Sequence, residues 1–593
     1  MSFTTIGSLI LRLRREKKIN RNKLASGLCS VQTLYEIESD QYDADLFMLE
    51  MMLQRLGKSE DKLEIVMTAE IYHMVKLRDL IEESVLRGKR VCTEHLLACY
   101  PARTKVDKMY KCRMKACLLY RVDKDNKGAL EELSQAIAFT LPDFTYDRMD
   151  ECLISTVEME NLLAVERIKA EEKSLQEKSE EKRHLELCMN YIEQHFEDEG
   201  ECAKIYSKCA WLLARIYYQE EQYLMAMHLC EQAMERLRRN TIFYFMLPLL
   251  KLITKAEEKM NVPKEKSKWV KYYEILSFLW ERYAKKWYPT ELLFHNCYQK
   301  EYHLDYELAR SERIANGMTQ EKVAEGVYQN VESYSRFETG KVSPNRKTFE
   351  NLMGRLEIEK GRYNGYAVTD SYEMMECRRK LDRLVSHQQF EEALKELKRL
   401  KEGINMELKE NRRVVAEFEL LLEKKLGWIS AKEALKQQEE ILKDSIDLKT
   451  NTLRHIPTRN EVILLNDICA NLYETKQEKK AIRLYECALQ KMRSSKVNVK
   501  YRYRSYSLLL NNYSARIKSR VLPYDVLKNE LFCGKFSVLP FCLNNITHAL
   551  KREGKPEEEW LKWVEYAYYM SNLLYCREVK EAYGRYLESI NKK

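Results

Sequence analysis

Glycine and proline are scarce in this chain, at 17 and 10 of 593 residues. Runs of alternating Val, Ile and Thr bounded by turn residues are equally hard to find, whereas Leu, Glu, Lys and Ala, all helix formers, are plentiful. A sheet-based fold is excluded on this pattern, and an almost all-α protein is expected. The 17 cysteines include no CxxC pair, and no His/Cys cluster has zinc spacing. They read as small core residues in a reducing cytosol, with no metal. The start, MSFTTIGSLILRLRREKK, lacks an apolar signal core. The most apolar stretch, Thr241 to Ile253, contains Pro248 and Lys251 and is too short to span a bilayer. No Gly-rich phosphate loop, HExxH or GxSxG is present. The ten histidines are scattered, and His184 and His195 read as solvated. A soluble cytoplasmic protein that is neither an enzyme, nor a membrane protein, nor the holder of a cofactor is expected.

Strong net charge is also lacking: +9 on 70.8 kDa is mild. The local distribution says more. Arg12, Arg14, Arg15, Lys17, Lys18, Arg21 and Lys23 face a single Glu16. A patch this dense is an electrostatic footprint for phosphate, unless it is only a solvated helix face.

The chain carries one plan twice. Leu11 to Ser39 and Leu308 to Gly340 lie about 300 residues apart and align on Ala25 and Ala324. Both place an Arg before that Ala (Arg14, Arg313) and a Glu after the next helix (Glu38, Glu338). Asn20 and Thr319 are placed to N-cap a second helix, and Ser30 and Asn330 a third. Gly27 and Gly326 supply the tight turn between. Leu34 and Ile37, or Tyr334 and Phe337, form the buried face of the third helix. The outer face carries Val31, Gln32, Tyr35 and Glu36 in one copy, and Val331, Glu332, Ser335 and Arg336 in the other. Two short helices crossing at a small residue, with a polar outer face, make a helix-turn-helix.

On these residues both segments resemble the Cro/CI-type (XRE) helix-turn-helix family, and GMTQEKVAEG followed by SRFETGKVSPNRKTFENLM follows that pattern throughout. The first copy, with GLCSVQTLYEIES and the stretch Met52–Ser59, is similar to the peptide-pheromone-responsive regulators of Gram-positive bacteria, the RRNPP group. It departs from the pattern at Asp40, where a turn Gly is usual, and at Arg21, where Gln is usual. The resemblance implies that Arg14/Glu38 and Arg313/Glu338 are structural ion pairs. It implies double-stranded DNA contacts from Arg21, Val31, Gln32, Tyr35 and Glu36, and from Thr319, Gln320, Val331, Glu332, Ser333 and Arg336. One chain with two unlike units resembles a fused dimer that reads two unlike half-sites. Homo-oligomerisation stays open.

Four segments share a large residue, then small or apolar ones nine and sixteen residues later: Tyr120/Ala129/Ala136, Tyr217/Ala226/Ala233, Leu384/Ala393/Leu400 and Leu472/Ala481/Ala488. They resemble tetratricopeptide repeats, paired helices stacked into a solenoid. The expected order is a helix-turn-helix domain over 1–58, an array over 59–300, a second helix-turn-helix domain over 301–357 and a second array over 358–593. Glu166 to Glu186, almost pure Lys, Glu, Ser and Arg, reads as an exposed helix, and a break is expected at Asn261-Val262-Pro263. An amide has both a donor and an acceptor for peptide backbone, and in the resembled regulators helix-borne Asn holds the signalling peptide. That implies ligand contacts from Asn466, Asn471, Asn511, Asn512, Asn544 and Asn545, with Asn161 and Asn190 the fewer candidates of the first half. The reading is a transcriptional regulator controlled by a peptide or protein ligand. The alternative is a helical-repeat interaction scaffold with vestigial DNA-binding domains.

Overall fold

The structure is a computed structural model. It describes residues 6–591 except 40, 43–44, 175–176, 244, 285–299, 357–366, 370, 387, 444, 448–449, 451 and 535–537. Asp40 and the expected boundary at 357/358 therefore lie outside the described residues. The fold is all-α and repeat-like, with helices of 5 to 21 residues.

Two four-helix units open the halves. The first consists of helices Ile6–Glu16, Arg21–Ala25, Val31–Glu38 and Leu46–Arg55, and the second of Asp305–Ala315, Gln320–Ala324, Val331–Glu338 and Arg346–Arg355. Capping chemistry sets their short helices. Asn20 and Ser30 accept from the backbone N–H of Lys23 and Thr33. Thr319 and Asn330 accept from those of Lys322 and Ser333. Each oxygen satisfies a donor that the first helical turn leaves without an intrahelical partner.

The remaining helices stack as a solenoid does. Nearly every helix packs on the next in sequence, and alternate helices also meet: Thr156–Glu172 on Glu199–Gln219, and Arg459–Glu474 on Tyr503–Arg516, which in turn meets Leu539–Arg552. Ala129, Ala136, Ala226, Ala233, Ala393, Leu400, Ala481 and Ala488 are all fully buried. Small residues let the helices approach closely, and one methyl more at such a crossing would overpack it. The break near Asn261 is present: helix Met246–Lys259 ends there, and Asn261 takes a positive φ of 55°.

Two short strands join the halves. β1 (Glu64–Met67) pairs in parallel with β2 (Glu301–Leu304), Glu64 opposite Glu301 and Met67 opposite Leu304. Around this pair the second array closes on the first. Tyr372 accepts from the Ser59 N–H at 2.8 Å and donates to Asp198 at 2.8 Å. Arg238 donates to the Leu573 carbonyl at 2.7 Å, and Phe243 N–H to Gly534 at 2.8 Å. One apolar core accordingly runs from Leu9 to Tyr583.

The two units relate differently to that core. Leu9, Ile10, Leu24, Leu34 and Ile37 of the first belong to it. The second has a core of its own, around Ala309, Val323, Tyr334, Phe337 and Leu352. Arg55, buried at the end of the first unit's fourth helix, makes the attachment. It donates to the carbonyls of Leu24 (3.2 Å) and Ser26 (2.6 Å) within the unit, and to Thr140 O (2.9 Å) and Glu158 (2.5 Å) on the array. Its counterpart Arg355 repeats only the local part, donating to Lys322 O and Glu325.

The charged segment Glu166–Glu186 is not an exposed helix. One helix ends at Glu172 and the next begins at Ser179. Glu166 and Glu181 are buried, because each has a partner: His184 lies 3.2 Å from Glu166, and Lys173 donates to Glu181 at 2.5 Å. His184 is itself buried and stacks on Tyr146, and half-buried His195 stacks on Tyr191, so His184 is not solvated and His195 only in part.

Gly27 and Gly326 test the unequal attachment. Both have φ near +74°, at 73° and 74°, which costs an L side chain roughly 1–2 kcal/mol. A Cβ on Gly27 would also stand 1.9 Å from Thr140 O, whereas one on Gly326 meets nothing described within 4 Å. Gly27→Ala should therefore lower the urea midpoint clearly further than Gly326→Ala. Equal midpoints would contradict a first unit packed on its array by this turn.

Candidate nucleic-acid interface

In each unit a buried carboxylate organises the helices. Arg14 grips Glu38 with two nitrogens, Nε to Oε1 at 2.5 Å and Nη2 to Oε2 at 3.1 Å, and donates to Ile19 O at 2.8 Å. Arg313 does the same with Glu338, at 2.5 and 3.2 Å, and donates to Met318 O at 2.9 Å. The planar fork of Arg fits a carboxylate in this bidentate way, which fixes the first helix against the third. Tyr334 adds a hydroxyl donated to Glu338 at 3.1 Å.

The same carboxylate draws in two residues expected on the DNA side. Arg21 donates to Glu38 Oε2 at 2.7 Å and stacks its guanidinium on the Tyr35 ring. Gln320 occupies the matching place and donates to Glu338 Oε2 at 2.5 Å. Thr319 spends its oxygen on capping, and Ser333 its backbone N–H on the Asn330 cap.

The outer face of the third helix stays open. Val31 is 42% and Tyr35 44% exposed. Gln32 is exposed and donates to half-buried Glu36 at 2.9 Å, an i,i+4 contact along the face. In the second unit Glu332 and Arg336 are exposed, while Val331, Ser333 and Ser335 are half-buried. The basic run is partly spent on structure. Arg12 meets Glu16 at 2.8 Å, and Lys17 joins Lys58 on Glu197 of the array, each at 2.5 Å. Arg15, Lys18 and Lys23 are exposed.

The sequence reading passed over Arg55 and Arg355. Their signal was available, since they stand about 300 residues apart at the ends of matching helices, as Glu38 and Glu338 do.

On the second array, four of the candidate amides form one hydrogen-bonded chain across three helices. Asn545 donates to Asn511 Oδ1 at 2.9 Å and Asn511 to Asn512 Oδ1 at 3.2 Å, while Asn512 donates to Asn466 Oδ1 at 2.6 Å. Tyr485 donates to the same Asn466 oxygen at 3.0 Å. Asn466, Asn512 and Asn545 are half-buried and Asn511 is buried. Asn471 is a correction. It is buried between helices, donates to Gln438 at 2.7 Å and accepts from Lys424, so it offers no surface to a ligand. Asn544 accepts from Tyr583; Asn161 is wholly buried and Asn190 exposed.

No protein-family model matches the chain, and no curated protein matches it. It is similar to a solved structure, the crystal structure of Bacillus thuringiensis PlcR in complex with the peptide PapR7 and DNA. The identity is 15%, the match covers 47% of this chain and 98% of that one, and the TM-score is 0.31. At that score the likeness carries no inference about site or partner. Among the described residues no helix is long and apolar enough to cross a membrane.

Glu38 and Glu338 give the interface an acid dependence. Burial opposes their ionisation, but hydrogen bonds outweigh it, from Arg14 and Arg21 to Glu38 and from Arg313 and Gln320 to Glu338. Both stay below the usual carboxylate value of 4.5. A carboxyl whose folded-state pKa is depressed stabilises the fold above its unfolded pKa, and the contribution is lost as pH falls through the folded one. Glu338→Gln strands half-buried Arg313; removing one partner of a fully buried pair costs about 3–5 kcal/mol, so a loss somewhat below that is expected. That loss should be present at neutral pH and shrink in acid, where the parent protein has protonated Glu338 as well. A loss of the same size on both sides of that range, in chemical denaturation, would contradict the pairing.

Proposed function

We propose that this chain is a cytoplasmic, sequence-specific DNA-binding transcriptional regulator rather than an enzyme. Its Cro/CI-type units present the helices Val31–Glu38 and Val331–Glu338 to successive major grooves. The observation that supports this most is the repetition of one arrangement. A buried Arg–Glu lock fixes a short capped helix whose opposite face stays exposed, and the chain builds this twice. Two reading helices in one polypeptide supply what such regulators otherwise obtain by dimerising, namely two half-sites.

Within this reading Gln32 pairs with adenine and Arg336 with guanine, each good bidentate pair giving about 1–3 kcal/mol of discrimination. Arg15, Lys18 and Lys23 serve as phosphate contacts. Arg21 and Gln320 act indirectly, by steadying the Glu that positions the reading helix. A peptide or protein ligand is read by the half-buried amides Asn466, Asn512 and Asn545 of the tetratricopeptide-like second array, with buried Asn511 linking them. A ligand there would exchange amide–amide bonds for bonds of the same kind, and it would regulate only by favouring one placement of the two units over another.

A second reading, an interaction scaffold, is favoured by one observation: Gln32 is engaged with Glu36 and Arg21 with Glu38 and Tyr35, so the first unit's polar side chains answer to one another.

Selection from a randomised duplex library distinguishes the two. The parent chain should enrich a bipartite site, and Arg336→Ala should relax preference in one half of it while leaving the other intact. Replacing Arg15, Lys18 and Lys23 with Ala should weaken binding to all sequences and flatten the salt slope by about 0.9 per lost phosphate contact. No enrichment by the parent chain would overturn the regulator reading and leave the scaffold.

A further inference from the structure

The two strands that join the halves set two acids side by side. Glu64 of β1 and Glu301 of β2 are partners in the register. Paired strands run about 4.8 Å apart, and paired residues leave the sheet on the same face. Both glutamates are buried, at 6% and 4% exposed. Like charges directly opposite one another destabilise a strand pair, and burial makes each charge costlier.

The surroundings ease this only in part. Glu64 Oε1 accepts from the Arg459 N–H at 2.6 Å, while its Oε2 is buried and meets no hydrogen-bond donor among the described residues. His303 stands two residues after Glu301, on the same face, with Nε2 4.0 Å from Glu64 Oε2. Burial and the charge of Arg502 hold this ring well below the ordinary histidine value, so it lies neutral beside Glu64. Glu301 accepts from Ser505 Oγ at 3.1 Å.

The segment 459–505 faces the pair with charges of both signs. Arg459 favours the ionised form of both acids, and Arg502 and Arg504 favour that of Glu301, whereas Glu461 opposes ionisation of Glu64. Arg502 lies in the field of Glu307 as well as of Glu301 and Glu64. Lys300, just before β2, is engaged with Glu50 and Glu60. Burial and the charge of Glu301 prevail at Glu64 and push it up to about 8, and burial raises Glu301 too. Asp305, which opens the helix after β2, is also buried, and burial pushes it up to about 7.

We propose that the β1–β2 pair is a proton-controlled latch, closed while Glu64 or Glu301 is protonated and released, with the entry to the second unit, once both are ionised. A carboxyl whose pKa is raised in the closed state keeps its proton there and gives it up on opening. Closure is therefore most favourable below the ordinary value of 4.5. It weakens as pH rises from there and levels off above the closed-state value near 8. Neutral pH falls inside this span, where the latch responds to a change in either direction. The device stands apart from the DNA-binding reading, since nothing in it involves the third helices.

Hydrogen exchange of the full chain tests the latch. It is read by mass spectrometry on peptides covering 64–67 and 301–304, from about pH 5.5 to 9, and corrected for the intrinsic exchange rate at each pH. In the parent chain, opening of the strands should increase with pH up to about 8, by at most about tenfold per unit for one proton, and then level off. Glu64→Gln keeps an acceptor for the Arg459 N–H and removes the charge. It should protect both strands about tenfold or more better than the parent near pH 8, with the gap closing toward pH 5.5. Glu70→Gln, which removes an exposed carboxylate from the helix after β1, should match the parent throughout. A Glu64 that served only to hold the fold would give the opposite sign, with less protection in Glu64→Gln at every pH. That result, or parent strand opening that does not vary up to pH 8, would overturn the latch. If the variant does not fold, the profile of the parent chain decides.

Discussion

The pairing of β1 with β2 is the constraint on which the rest of the structure depends. Two parallel strands cannot be joined by a tight turn; the chain must cross over between them. Here the crossover contains the whole first array, so four paired residues on each strand bring its start beside the start of the second half. Such a small sheet would be marginal alone, and the second array secures it. Arg502 donates to Tyr302 O at 3.0 Å, the Arg459 N–H to Glu64 at 2.6 Å, and Ser505 to Glu301 at 3.1 Å. Strand pairing therefore places the exit of the first unit beside the entry of the second, and donors from 459–505 hold it there.

Attachment of the two units follows from this geometry but not equally. The first shares the main core and is held through Arg55, whose guanidinium meets carbonyls on both sides of the joint. The second hangs from β2 and its first helix. Glu307 accepts there from Ser495 Oγ and the Lys496 N–H, both at 2.6 Å, and Glu312 lies 3.5 Å from His455. The first unit is thus joined to its array through a shared apolar core, and the second through these polar contacts together with Tyr306, which packs against both cores.

Much of this was legible in residue spacing. The small residues of the repeats are buried because close helix crossings admit nothing larger, and a fixed spacing reveals them. The caps were legible too, since Ser, Thr and Asn before a helix have one dominant use. Spacing identifies the face on which a residue stands, but not which neighbour it chooses. Arg21 and Gln320 stand near the outer face of the third helix, yet the strong acceptor each meets is the Glu behind it. The segment Glu166–Glu186 misled for a related reason: composition counts charges, whereas burial depends on whether each finds a partner across the fold. The strand pair was beyond reach, because four residues of β1 carry no mark of a partner in the other half of the chain.

The two turn glycines differ in which substitutions their surroundings admit. Gly27 is hemmed in by the Thr140 backbone as well as by its positive φ, and no other residue can stand there without displacing the array. Among the described residues nothing else constrains Gly326 besides its φ, and asparagine or aspartate tolerate that conformation. The turn is thus closed to any side chain in one half and open to asparagine or aspartate in the other, so at this position the second unit takes a substitution at little cost to the fold.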